Sequence, residues 1–241
     1  MSYPIAEKRP LRIGHRGAAA YAPHNTLTSF RKAAELGADM VELDVQRCAD
    51  GQVVVTHDPY IKAPGGRVLL VRETSFDELR SVDLGGGERV PTFSEVLALL
   101  RQLDLGILLE LKDGHSTPLV IEALREQDYM DHCVASSFRP DWLTDFKAAA
   151  PQIAMSIQAS SRTIDGPHIA LLAQACGASF VCPGWESHPH PTELLTLDWL
   201  APVRAAGLRV ISWHEERPEE IAELKHLGVD GICSDRPDLL L

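Results

Sequence analysis

The sequence has no apolar run long enough to span a membrane, no low-complexity tract and no C-x-x-C pair. The first absence excludes a membrane-spanning helix, which needs about 20 consecutive apolar residues. The last, with cysteines scattered at Cys48, Cys133, Cys176, Cys182 and Cys233, excludes a thiolate zinc site and argues against a disulfide framework. These thiols are expected to be reduced and structural. Positive charge is also short, with 23 Lys and Arg against 34 Asp and Glu and a formal net charge of -11. That balance disfavours a broad nucleic-acid surface, so any anion bound here must be small and held by a local pocket. Met1 to Pro10 carries Glu7, Lys8 and Arg9 and lacks a signal peptide's apolar core, which makes a cytoplasmic location the expectation.

What is present is 241 residues, 45% hydrophobic and 24% charged, enough for one large α/β barrel or two smaller domains. No linker divides the chain. Strand-like segments begin at Leu11, Met40, Val53, Ile107, Cys133, Ile153, Ser179, Leu208 and Val229, and helical spacing fills most of the intervals. The alternation predicts a single TIM (β/α)₈ barrel. The list holds one strand too many, and the hairpin signal Asp50-Gly51 between Val45 and Val53 makes two of these segments share one role. A doubly wound sheet is the alternative, but no G-x-G-x-x-G follows the first strand. Pro59 to Pro91, punctuated by Pro64-Gly65-Gly66 and Gly85-Gly86-Gly87, reads as a small insertion overhanging a site.

The chain is organised around Met40-Val41-Glu42-Leu43-Asp44-Val45. Alternation puts Val41, Leu43 and Val45 on one face of a strand and Glu42 and Asp44 on the other. Two carboxylates on one face repel unless water or a cation lies between them. In a barrel the chemistry sits at the C-terminal ends of strands, where this chain offers His15 and Arg16, Glu42 and Asp44, His57 and Asp58, and Glu110 and Lys112. A lone strand-end histidine is more often structural than catalytic, but polar pairs at four successive ends point to one shared site. Ile13 is expected on the face of His15, and Leu108 opposite Glu110 and Lys112. Glu42, Asp44 and Glu110 supply hard oxygen ligands suited to Mg²⁺, Ca²⁺ or Mn²⁺. Arg16 and Lys112 suit phosphate oxygens, and His15 and His57 can exchange protons near neutral pH.

Together His15-Arg16-Gly17, Pro23 with Asn25-Thr26-Leu27, Glu42-Leu43-Asp44-Val45, Asp50-Gly51, His57-Asp58, Glu110-Leu111-Lys112, Ser137-Phe138, Gly228-Val229-Asp230-Gly231-Ile232 and Ser234-Asp235 give the sequence a family likeness. It resembles the glycerophosphodiester phosphodiesterases, from about Leu11 to Leu239. The resemblance implies a TIM barrel that hydrolyses a small-molecule glycerophosphodiester to glycerol phosphate and an alcohol with a divalent cation. It implies metal ligands at Glu42, Asp44 and Glu110, an acid/base pair at His15 and His57, and phosphate contacts at Arg16 and Lys112. Lysophospholipid-type substrates, or a barrel that binds phospho-ligands without turnover, are the alternatives. The chain departs from the family pattern at His24, where Glu is usual, at Tyr60 to Gly66, and at Trp213-His214-Glu215-Glu216, where the aromatic is usually followed by Thr-Val-Asn. Trp213 is expected to wall the substrate site, while His214 and Glu215 read either as site residues or, by a slight preference, as a solvated loop. His188-Pro189-His190-Pro191 reads as a loop rather than a metal motif.

Overall fold

The computed structural model describes residues 9–184 and 190–241. In chain order the elements are β1 (Leu11–Gly14), α1 (Leu27–Glu35), β2 (Met40–Arg47), β3 (Val53–Val55), β4 (Tyr60–Lys62), β5 (Val68–Leu70), α2 (Phe76–Ser81) and α3 (Phe93–Leu103). There follow β6 (Gly106–Leu111), α4 (Thr117–Glu126), β7 (Cys133–Ser137), α5 (Pro140–Ala149), β8 (Ala154–Ser160), α6 (Gly166–Ala175) and β9 (Phe180–Gly184). The chain ends with α7 (Leu197–Ala205), β10 (Arg209–Ser212), α8 (Pro218–Leu227) and β11 (Gly231–Ser234).

Strands β1, β2 and β6 to β11 pair in parallel in the order β1-β11-β10-β9-β8-β7-β6-β2, and β1 pairs again with β2, so the barrel closes. The surplus strand is β3. It lies antiparallel on the far half of β2, with Val45 opposite Val55 and Arg47 opposite Val53, while the near half of β2 receives β1 through Ile13 and Met40. One long strand thus carries both the barrel and a hairpin above its rim.

Outward-facing Val41, Leu43, Val45, Ile107 and Leu109 pack beneath the helices in the main core, where the strands are buried on both faces as parallel barrels require. Helices start where the sequence offers caps: the Thr26 hydroxyl accepts the N–H of Ser29, and Thr92 with Glu95 closes a capping box on α3. Inside the barrel, Ile13, Met40, Leu108, Val134, Phe180 and Ile211 form an apolar floor. Leu108 therefore shares the inward face of β6 with Glu110, not the opposite face, because residues two apart on a strand point the same way.

The insertion leaves from β3 and returns beside it, since the Pro91 carbonyl accepts the N–H of Val55. Between these points Ile61, Ala63, Leu69, Val71, Leu79, Val82 and Val90 bury a small satellite core against Val54 and Cys48. Among the described residues no helix is long and apolar enough to cross a membrane.

Candidate active site

The site begins with strand register. Asp44 on β2 stands directly beside Glu110 on β6, and Glu42 beside Leu108, so Glu42, Asp44 and Glu110 all point inward above the apolar floor. Their exposures are 4%, 0% and 7%, and one oxygen of each lies within 4.8 Å of the others. Burial, then the charges of Asp44 and Glu110, push the Glu42 carboxyl well above its ordinary value. Burial also raises Glu110, with Asp44 adding to it. Burial would raise Asp44 as well, but Lys112 and Arg16 outweigh it and hold Asp44 below the usual range.

The Lys112 ammonium stands between two of these acids, bonding Glu110 and lying 3.2 Å from Asp44 Oδ1. That Asp44 oxygen is fully buried yet makes no properly directed hydrogen bond. Three hard oxygen donors, one of them lacking a hydrogen bond and already facing a cation, fit a divalent metal.

The turn after β1 brings the next groups. The backbone turns sharply at Arg16 (φ 49°) and Gly17 (φ 92°), where a Cβ on Gly17 would collide with Ser29 of α1. Arg16 donates its N–H to Glu42 Oε2 at 3.0 Å, and its Nε lies 3.5 Å from Asp44 Oδ2. Asn25, also left-handed at φ 58°, donates Nδ2 to Asp44 Oδ2 at 2.8 Å. Thus the Asn25-Thr26 pair orients one acid and caps α1.

His15 is 7% exposed. Its Nδ1 meets Asp235 Oδ1 at 2.6 Å, which leaves Nε2 free on the pocket side, 4.0 Å from Glu42. Burial lowers its pKa despite the Asp235 hydrogen bond, and a ring that donates Nδ1–H to Asp235 presents a lone pair at Nε2.

His57 lines the same pocket by a different route than a parallel strand end. Because β3 is antiparallel, the chain descends from the rim, and the Thr56 N–H donates to Asp44 O at 3.0 Å just before His57. Gln46, 7% exposed, fixes this turn by aiming Nε2 at the carbonyls of Thr56, His57 and Asp58 at 2.9, 3.1 and 2.8 Å. His57 Nδ1 pairs with Asp58 Oδ1 at 2.8 Å.

Trp213 and Phe138, which line the same pocket, meet edge to face at 5.8 Å and make an apolar wall. Trp213 donates Nε1 to Cys182 O at 3.1 Å, and only a glycine at 184 leaves room for its ring.

Residues 15–239 match the Glycerophosphoryl diester phosphodiesterase family. The chain belongs to that family. As a member of it the protein is a phosphodiesterase, and the barrel described above is the family's fold. A glycerophosphodiester phosphodiesterase of Caldanaerobacter subterraneus subsp. tengcongensis is 29% identical over 245 residues, covering 97% of each chain. The crystal structure of a glycerophosphodiester phosphodiesterase from Agrobacterium tumefaciens superposes with a TM-score of 0.82 at 26% identity, covering 96% of this chain and 98% of that one. A phosphodiesterase of Oleispira antarctica, solved in complex with the product sn-glycerol-3-phosphate, gives 0.86 at 25% identity over 98% and 97%.

The structure thus gathers His15, Arg16, Glu42, His57, Glu110, Lys112 and Trp213 around one pocket, with Asp44 behind them. The expectation that His214 and Glu215 form a solvated loop does not hold. His214 stacks on His15 with ring centroids 4.5 Å apart, and Glu215 is 2% exposed and bound to Arg217 at 2.6 Å. His188 lies outside the described residues, while His190 reaches Glu220 at 3.4 Å. Asn25, Gln46, Gln158 and Asp235 hold the site as well, in roles not expected from sequence. Asn25 and Asp235 sat within quoted motifs, but Gln158, which donates to Glu110 Oε2 at 3.2 Å from two strands away, left no local signal.

Proposed function

We propose that this pocket hydrolyses glycerophosphodiesters to glycerol phosphate and an alcohol, with a divalent cation held by Glu42, Asp44 and Glu110. The observation that carries the reading is the meeting of three buried carboxylates from two neighbouring strands with His15, His57, Arg16 and Lys112 in one pocket of a family member. Mg²⁺, Ca²⁺ or Mn²⁺ suits an all-oxygen donor set, and when bound it would draw charge from the phosphoryl oxygens.

The residues divide the remaining work. His15, with Nδ1 held by Asp235 and Nε2 facing the pocket, takes the proton of the substrate's free glycerol hydroxyl as that oxygen bonds to phosphorus. The bond to the leaving alcohol breaks, and His57 gives that oxygen its proton. Water then opens the cyclic phosphate with the two roles reversed. Arg16 and Lys112 offset the negative charge on the phosphoryl oxygens, and Trp213 with Phe138 walls the glycerol. A cytoplasmic location belongs to this reading, supported by five free, buried thiols. Assay of a panel of glycerophosphodiesters tests the whole scheme: turnover that EDTA abolishes and added Mg²⁺, Mn²⁺ or Ca²⁺ restores is expected, and binding without turnover would refute it.

Gln46 ties to this chemistry through His57. Gln46→Leu should leave the fold intact and lower kcat roughly 10- to 100-fold, since misplacing a reacting group by about 1 Å costs that order of rate. Unchanged kcat in a folded Gln46→Leu protein would show that the turn does not need its three carbonyl bonds.

The insertion borders a groove lined by Gln46, Cys48, Pro59, Leu70, Arg72 and Lys112, and Lys112 also lines the pocket. We assign it head-group selection. Exposure of Val68 (53%) and Leu70 (39%) on β5 favours lysophospholipid-type substrates as a second reading. Shortening the Pro64 to Arg67 tip should change KM among substrates more than kcat, and a uniform collapse of kcat would contradict a selectivity role.

A further inference from the structure

We propose that His214 is a positioning residue for the proton-accepting histidine: its ring clamps the face of His15 while Asp235 holds the Nδ1 edge, so that Nε2 stays aimed into the pocket. The inference rests on the reading of His15 as the base, but the clamp itself is visible without it.

Three observations converge. The two imidazoles are nearly parallel, with an interplanar angle of 12° and centroids 4.5 Å apart, which is offset stacking rather than chance proximity. The Asp235 contact at 2.6 Å fixes one edge of His15 but leaves the ring free to swing about that edge, and a stacked partner removes that freedom. His214 is itself anchored. Its Nδ1 lies 3.2 Å from both oxygens of Glu216, and Glu216 accepts the Asp235 N–H at 2.8 Å and the Ser234 hydroxyl at 3.3 Å. The loops after β10 and β11 are thus joined into one frame around His15.

The same groups invite a cation-site reading, because ligand atoms of His15, His214 and Asp235 lie within 4.8 Å of one another. Stacked rings argue against it. A ring nitrogen offers its lone pair in the ring plane, and two nearly parallel planes cannot both direct lone pairs at one ion between them.

The test compares His214→Ala with His214→Phe, each checked for folding by circular dichroism. His214→Ala should lower kcat about tenfold with KM within about twofold, and His214→Phe, which restores a flat ring, should recover most of the loss. Proton NMR gives a readout independent of activity: the His15 ring signals, shifted by the stacked neighbour, should move in the Ala variant and stay near wild type in the Phe variant. Full kcat in His214→Ala with unmoved His15 signals overturns the proposal. So does a change in KM alone, which would make His214 a substrate contact, or a kcat loss that Phe does not recover. If the wild-type protein turns over no glycerophosphodiester but the NMR pattern holds, the functional reading fails and the clamp stands.

Discussion

Glu42→Gln is expected to abolish turnover and, in EDTA, to raise the melting temperature. Both effects come from the same crowding. Glu42 is 4% exposed, and burial with the charges of Asp44 and Glu110 pushes its pKa well above the ordinary value. A carboxyl whose folded pKa exceeds its unfolded one stabilises the fold below the unfolded value and loses that contribution as pH rises through the folded value. The charged form at neutral or higher pH is therefore a cost to the metal-free fold. Gln keeps the shape and an oxygen to accept the Arg16 N–H, but carries no charge. Each ~1 kcal/mol relieved should lift the melting temperature about 2–4 °C. Asp44 has the opposite sign, because its lowered pKa makes the charged form stabilising, so Asp44→Asn should gain nothing.

For catalysis the substitution removes one of three cation donors. A bound cation supplies several kcal/mol of charge stabilisation, so the loss in kcat should reach roughly 10³-fold or more. Added Mg²⁺ should stabilise the wild type by mass action and leave Glu42→Gln unmoved. Differential scanning fluorimetry with EDTA or Mg²⁺, run beside an activity assay, reads all of this. A variant with wild-type rate, or one that melts lower than wild type in EDTA, would contradict the account of Glu42.

The second large effect separates the two histidines. His15→Ala and His57→Ala should each cost about 10² to 10⁴ in kcat on natural substrates, the usual worth of one acid/base group. A p-nitrophenyl leaving group departs without a proton. On a glycerophospho-p-nitrophenyl diester His57→Ala should therefore recover most of its loss, while His15→Ala should not, because the glycerol hydroxyl still needs its proton removed. The pH profile gives a further check. Burial lowers the His15 pKa, so the neutral ring persists below the ordinary value of about 6.5, and the acid limb of kcat/KM should lie on that side. Equal losses for both variants on both substrates would remove the acid/base assignment and leave the rings as phosphate or structural contacts.

What could be read in the sequence was what strand alternation and turn chemistry control locally. Glu42 and Asp44 share a face because they are two residues apart, and Asn25-Thr26 ahead of an apolar helix marks a cap, so both survive into the fold unchanged. His57 reached the pocket as expected, but for a reason that local pattern does not contain: β3 turns back along β2 and descends toward the barrel mouth. Leu108 faces inward with Glu110, against expectation, because residues two apart on β6 share a face. Asp235 and His214 act on His15 across some 200 residues of chain, and Gln158 reaches Glu110 from a strand two places away. The His15 partners are set by barrel closure, which brings the last strand beside the first, and Gln158 by the shared interior of β6 to β8; no window of sequence reports either.

Every step proposed above depends on a cation site at Glu42, Asp44 and Glu110. Anomalous diffraction from crystals soaked with Mn²⁺ and glycerol phosphate tests it most directly. A single strong peak is expected at about 2.0–2.6 Å from a carboxylate oxygen of each of the three residues, with phosphate between it and Arg16. A peak beside His15, His214 and Asp235 instead, or none among the three acids at saturating Mn²⁺, would contradict it.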